Sequence, residues 1–284
     1  MRYLVFGKNG QVAQELQRRC GAAVLEVRGS DQANFENPEA CAAFVAQTEA
    51  DAVINAAAYT TVDKAESDEA RATLINATTP GAIAVAAAAR GLPLVHISTD
   101  YVFDGAGTIP FASDHPTGPL GAYGRSKLAG EAAVRAAGCT HVILRTSWVV
   151  SAHGNNFVKT MLRLGAERAR LTIVADQIGG PTCAADIADA CLSIAAQLQA
   201  DPSKTGSYHF SGGPDVSWAN FAREIFAQSG LSCEVADISS DAYPTPAKRP
   251  PNSRMDNDRT EAVFGIARPD WRVGLRNILT DLSA

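Results

Sequence analysis

Tyr123-Gly124-Arg125-Ser126-Lys127 places a phenol and an ammonium four residues apart. In a helix that spacing puts both side chains on one face. A free phenol ionises only near pH ~10, too high to trade protons readily at neutrality. A neighbouring ammonium favours the phenolate and lowers that value. The expected chemistry is proton donation by Tyr123 to a carbonyl oxygen while a hydride arrives from a nicotinamide cofactor, with Lys127 also available to the nicotinamide ribose. Ser98-Thr99-Asp100 follows a strand-like run. Strand ends of this kind deliver residues to the ligand crevice, so Thr99 is placed to hydrogen-bond the substrate oxygen beside Tyr123.

A hydride donor needs a dinucleotide site. Gly7-Lys8-Asn9-Gly10-Gln11-Val12-Ala13 follows an apolar run and opens a helical pattern. Gly7 and Gly10 let the backbone turn and approach a pyrophosphate, which the helix N-terminus stabilises. The spacing is G-x-x-G-x-x-A, and Ala13 is small enough for close helix–strand packing. An acidic residue some ~20 positions on should meet the adenosine ribose. Glu26 is the candidate, at the end of the second strand. Arg28, two residues later, suits a 2′-phosphate instead. The first points to NAD and the second to NADP; the reading leans to NADPH, with NADH as the alternative or both in use.

The elements that must hold these residues alternate. Strands are expected at 2–6, 22–27, 51–54, 92–98 and 141–146. Helices are expected after Gly10, at 38–48 behind an Asn37 cap, at 69–90 ending at Gly91, and at 122–137. This predicts an α/β fold, a Rossmann-type doubly wound parallel sheet. Beyond about residue 150 the alternation loosens, with helices near 155–168, 184–199 and 217–229. Residues 1–150 read as the dinucleotide-binding domain, to which later segments return. Residues 151–284 read mainly as a smaller, partly interleaved C-terminal substrate lobe. Gly179-Gly180-Pro181 is a candidate hinge.

A net charge of −5 over 284 residues gives no general attraction to nucleic acid or anionic membrane. The apolar stretches read as too short to span a bilayer, and the N-terminus lacks a signal-peptide pattern, so a cytoplasmic protein is expected. The six cysteines have no C-x-x-C spacing, and the five histidines no ligand spacing. His96 is expected to be a packed core residue. Asp63, Lys64 and Glu66 read as solvated residues at a helix start. Trp148 suits either stacking on a ligand ring or filling a gap between lobes.

These motifs resemble the extended short-chain dehydrogenase/reductase superfamily and, within it, the dTDP-4-dehydrorhamnose reductase family. The resemblance spans nearly the whole chain. FGKNGQV at 6–12, STDYVFDG at 98–105 and YGRSKLAGE at 123–131 are shared widely in the superfamily. NAAAYTTVDKAE at 55–66, RTSWVV at 145–150, GNNFVKTMLRL at 154–164, DQIGGPT at 176–182 and YPTPAKRPPNSRMD at 243–256 carry the narrower match. It implies reduction of the C4 ketone of a dTDP-linked keto-deoxysugar, dTDP-4-dehydro-L-rhamnose, by NADPH or NADH. On the family pattern Thr99, Tyr123 and Lys127 match the catalytic triad. Gly10, Gln11, Val12, Ala58, Tyr59 and Thr60 match cofactor contacts, and Thr99, Asp100 and Trp148 match the sugar-nucleotide site, with Asn156 grouped beside them. Arg249 and Arg254 lie where the nucleotide diphosphate or base should be held, since guanidinium forks match phosphate oxygens.

Two departures stand out. Asn34-Phe35 replaces the Asp-Phe often found after the second strand, which alters an adenine contact. Some members dimerise through magnesium held by glutamates; Glu15 matches one position, but Ala185 stands at its partner, and the adjacent Asp186 would point elsewhere on the helix. No metal site is therefore expected; any magnesium role is left open, and the assembly is a monomer or weak homodimer. A sugar-nucleotide epimerase or dehydratase, and a non-catalytic dinucleotide-binding regulatory subunit, are the competing readings. The STD sequence lacks the adjacent Glu pair of a dehydratase, and intact Thr99, Tyr123 and Lys127 argue against lost activity.

Overall fold

A computed structural model describes residues 1–283. In chain order the first half contains β1 (Arg2–Phe6), α1 (Gln11–Arg19), β2 (Val24–Arg28), α2 (Pro38–Gln47), β3 (Ala52–Asn55), α3 (Val62–Ala65), α4 (Glu69–Thr73), α5 (Thr79–Arg90), β4 (Leu94–Thr99), α6 (Ala122–Ala136) and β5 (His141–Thr146). Then follow β6 (Val149–Val150), α7 (Phe157–Glu167), β7 (Arg170–Val174), β8 (Ile178–Gly179), β9 (Thr182–Cys183), α8 (Ala184–Ala200), β10 (Gly206–His209) and β11 (Val216–Ser217). The chain closes with α9 (Trp218–Ser229), β12 (Glu234–Ile238), β13 (Asn252–Ser253), α10 (Asp258–Phe264) and α11 (Trp271–Ser283).

Six strands form one parallel sheet in the order β2-β1-β3-β4-β5-β10. β3 and β5 are buried along their whole length, which is why they read as unbroken apolar runs rather than alternating ones. One core lies between the sheet and α1 and α8; the other lies under α2 and α5. The chain reverses direction across the sheet between β1 and β3, and ligands bind such folds at that switch point, beyond the strand C-termini. A third core joins α7, α9 and α11 around Phe221 and Trp271. α8 and β10 thus pack with the sheet, although they follow residue 150.

Several element ends differ from expectation for local reasons. The Ala23 amide closes a turn onto Cys20, so β2 starts at Val24 and runs on to Arg28. Gly91 adopts φ 64°, and the Leu92 amide bonds back to Ala87, so β4 begins only at Leu94. The expected helix 69–90 is interrupted by a π-helical turn at Leu74–Thr78, where the Thr79 amide reaches Leu74. Pro80 explains this: it has no N–H for the Asn76 carbonyl, and in an α-helix its ring would collide with that group. The same Glu69–Arg90 segment is long and apolar enough by composition to cross a membrane, contrary to expectation. In this fold it packs between α2 and α6.

Candidate active site

Gly7 has φ 108°, and a Cβ there would come within 3.2 Å of the Ala56 backbone. Only glycine lets β1 turn so close to the loop after β3. Nothing lies within 4 Å of a Cβ on Gly10, and no side chain caps α1 behind it. The first amides of α1 therefore face an open approach, the arrangement an anionic phosphate needs. They line a cavity of about 800 Å³ that runs from Arg28 to Trp148.

At one end Arg28, Ser30, Ala33, Asn34 and Phe35 form the wall. Arg28 stacks on Phe44 at 5.0 Å, and its buried Nε has no partner. Glu26 does not line the cavity. Because β2 extends to Arg28, Glu26 sits two residues back from the strand end, where it accepts from Thr48 Oγ1 at 2.8 Å and pairs loosely with Arg2. Asn34 turns its Oδ1 to the Glu36 amide, and Phe35 packs edge-on against Phe6.

The middle wall is the Ala56–Ala58 loop and Thr60. Tyr59 points away, burying its ring and bonding Asp68 through its hydroxyl at 3.3 Å. Asn76, from the π-helical turn, bonds the Tyr59 amide and carbonyl and also Ser126 Oγ, which donates to the Tyr123 carbonyl. One buried amide thus ties the cofactor-side loop to α6. Sequence reading missed it; an asparagine in an alanine-rich helix was the sole signal.

At the far end stand Thr99, Asp100, Tyr123 and Lys127. Thr99 Oγ1 donates to Asp100 Oδ1 at 3.0 Å and accepts from the Tyr101 amide at 3.2 Å. Burial, aided by the nearby Asp100 carboxylate, pushes Tyr123 up to about 12, against the pull of the Thr99 hydroxyl. Lys127 is fully buried and donates from Nζ to the Ile97 carbonyl at 2.7 Å. Burial lowers Lys127 to about 8, against the pull of Glu131. The expectation that Lys127 depresses Tyr123 therefore fails in this arrangement: the ammonium is turned to Ile97, and desolvation dominates the phenol. Tyr123 is thus held protonated through the neutral range. Asp100 is pushed up to about 6 by burial, and its Oδ2 has no partner.

Trp148 sits in the left-handed region at φ 47° and stacks on Trp218 with ring centroids 3.5 Å apart. A Cβ on Gly179 would approach the indole at 3.0 Å, so that glycine is required for packing. A Cβ on Gly180 would come within 2.1 Å of the Gly212 carbonyl oxygen, which makes the expected hinge a packed junction.

Three expected substrate residues do not line this cavity. Asn156 caps α7 through the Lys159 amide and donates to Gln11 Oε1 at 2.9 Å. Arg249 is held by Asp63 through two contacts of 3.1 and 3.0 Å, so Asp63 is not simply solvated. Arg254 bonds Asn252 Oδ1 at 3.0 Å. Glu15 is engaged by Arg18 and His153, and among the described residues no cluster of His, Cys, Asp and Glu fits a metal ion. His96 is buried and bonded to Asn55 through Nδ1.

The whole chain, residues 1–284, matches the family model described as the RmlD substrate binding domain. A protein of Sinorhizobium fredii named dTDP-4-dehydrorhamnose reductase is 45% identical over 98% of this chain and 97% of its own length. This chain belongs to that family. Crystal structures agree with the assignment. The dTDP-4-dehydrorhamnose reductase of Clostridium acetobutylicum superposes with a TM-score of 0.92 at 34% identity, covering all of both chains. That of Bacillus anthracis, solved in complex with NADP, gives a TM-score of 0.91 at 34% identity over 99% of each. The chain thus shares the α/β Rossmann fold and oxidoreductase character of the family.

Proposed function

We propose that the protein reduces the C4 ketone of dTDP-4-dehydro-L-rhamnose to dTDP-L-rhamnose with NADPH as hydride donor. The observation that carries this reading is the meeting of Thr99, Tyr123 and Lys127 in the cavity entered by the glycine loop. The bound nicotinamide supplies the hydride. Thr99 and the Tyr123 hydroxyl hold the substrate carbonyl oxygen, and Tyr123 gives that oxygen its proton as C4 becomes a carbinol. The Lys127 ammonium serves the nicotinamide ribose, and solvent restores the proton to Tyr123. The unpartnered Asp100 Oδ2 accepts a sugar hydroxyl, and Trp148 covers the sugar. The uncapped start of α1 suits the pyrophosphate of the dinucleotide. Residues 1–150 with α8 and β10 serve that dinucleotide, and the remaining segments serve the sugar nucleotide.

Purified protein given this substrate should consume either NADPH or NADH, read as loss of reduced-nicotinamide absorbance. No oxidation with either cofactor would sink the proposal. The preference for NADPH rests on Arg28, the cation at the end of β2 with a free buried N–H. Arg28→Ala should weaken NADPH binding roughly ten-fold, the scale of one charge-assisted hydrogen bond, and leave NADH binding nearly unchanged. Equal effects on both would remove the 2′-phosphate from Arg28.

The pH dependence follows from Lys127. Its folded value of about 8 lies below the ordinary ammonium value, so the charge is present at neutrality and is lost as pH rises through about 8. kcat/KM should therefore fall on the alkaline side near that pH. A rate flat to pH ~10, where an unshifted ammonium would titrate, would contradict a role for the Lys127 charge.

A further inference from the structure

Glu131 lies two turns along α6 from Tyr123 and one from Lys127, so the three share a face. Its carboxylate is fully buried. Oε1 accepts from Ser98 Oγ at 2.7 Å and from Arg145 Nε at 2.8 Å. Oε2 accepts from Arg145 Nη2 at 2.8 Å and from Arg135 at 2.7 Å. Ser98 and Arg145 are direct neighbours across β4 and β5, so one carboxylate ties α6 to both strands. Arg145 is itself fixed by the Ser113 carbonyl and the face of Phe103.

The position of Ser98 gives this network its significance. Ile97 precedes it and supplies the carbonyl that holds Lys127 Nζ. Thr99 follows it, bonds Asp100, and lines the same cavity as Tyr123. A buried ion pair is costly to desolvate and is weak evidence for stability by itself. Here it is anchored one residue from two groups that the reaction requires.

We propose that Glu131 is a positioning residue for the reduction, acting through Ser98 to fix the Ile97–Thr99 segment and through its charge to keep Lys127 an ammonium. This rests on the proton-transfer roles proposed above for Thr99, Tyr123 and Lys127. The charged or titratable groups facing Glu131 are Arg145 from β5, Arg135 and Lys127 from α6, and His209 from β10, which burial holds neutral. Facing Lys127 are Glu131 and Tyr123 from its own helix and His96 from β4, which burial holds neutral. Among the described residues Glu131 is therefore the one anion facing Lys127 that offsets its desolvation.

The test compares Ser98→Ala with Glu131→Gln. Ser98→Ala keeps the ion pair and removes the tether; kcat should fall roughly ten-fold, with NADPH affinity and the alkaline limb unchanged. Glu131→Gln keeps an acceptor for Ser98 and removes the charge; the alkaline limb should move to lower pH by about one unit. A purely structural role would scale the rate equally at every pH. Titration of Lys127 by NMR, using heavy-nitrogen lysine, reads the same shift without turnover. If Glu131→Gln does not fold, Ser98→Ala alone decides the positioning claim. Folded variants with wild-type kcat and an unmoved Lys127 titration would overturn the inference. An inert wild-type protein would instead sink the proposed reaction, and the lysine titration would still decide the role of Glu131.

Discussion

Tyr123→Phe is expected to bind NADPH as the wild type does and to lose turnover by roughly 10²–10⁴-fold, the usual contribution of a positioned general acid. The change removes one oxygen from a half-buried ring packed edge-on against Tyr101 at 5.6 Å, so the ring and its packing stay. What goes is the proton donor. Its replacement by water is poor, because burial around the hydroxyl is deep enough to push the phenol up to about 12. Loss should appear equally in kcat and kcat/KM, the signature of an interaction made in the transition state. A variant within a few-fold of wild type would show that the proton comes from elsewhere.

Gly130→Ala should be among the most damaging single-methyl changes outside the reacting groups. A Cβ at Gly130 would stand 2.0 Å from the Asn76 carbonyl oxygen, which is backbone and cannot swing aside. α6 must then back away from the π-helical turn. That movement strains the Asn76 bonds to Tyr59 and Ser126, which link the cofactor-side loop to the helix carrying Tyr123 and Lys127. Overpacking of this kind costs about 3 kcal/mol or more. In a chain of this size that corresponds to a fall in Tm of roughly 5 °C, measured by thermal unfolding, together with weaker cofactor binding. Unchanged Tm would mean that the contact between α6 and the π-helical turn is looser than its geometry implies.

The two features that define the site were legible because each is local. Glycines at 7 and 10 sit between a buried strand and a helix start, and Tyr123 and Lys127 share a face through helical periodicity alone. The parallel sheet was legible because its strands, buried on both faces, leave continuous apolar runs. What the sequence concealed is non-local. Asp63 and Arg249 are 186 positions apart, and nothing in either neighbourhood announces the pair that holds Arg249. Glu131 reads as an ordinary helix-face charge until β5 brings Arg145 beneath it. β2 runs one residue further than the apolar run suggested, which places Arg28 in the cavity wall and leaves Glu26 behind it. The Lys127–Tyr123 relation was misjudged because spacing sets which face two groups share, whereas burial sets how each one titrates.

Hydride delivery to C4 of the sugar, with a proton from Tyr123, is the step on which the other proposed roles depend. It is tested most directly by incubating the protein with dTDP-4-dehydro-L-rhamnose and NADPH carrying deuterium at the transferring position of the nicotinamide. The expected product is dTDP-L-rhamnose with deuterium on C4, formed with stoichiometric NADP, as seen by NMR and mass spectrometry. Unconsumed cofactor, or a sugar product with no deuterium at C4, would contradict it.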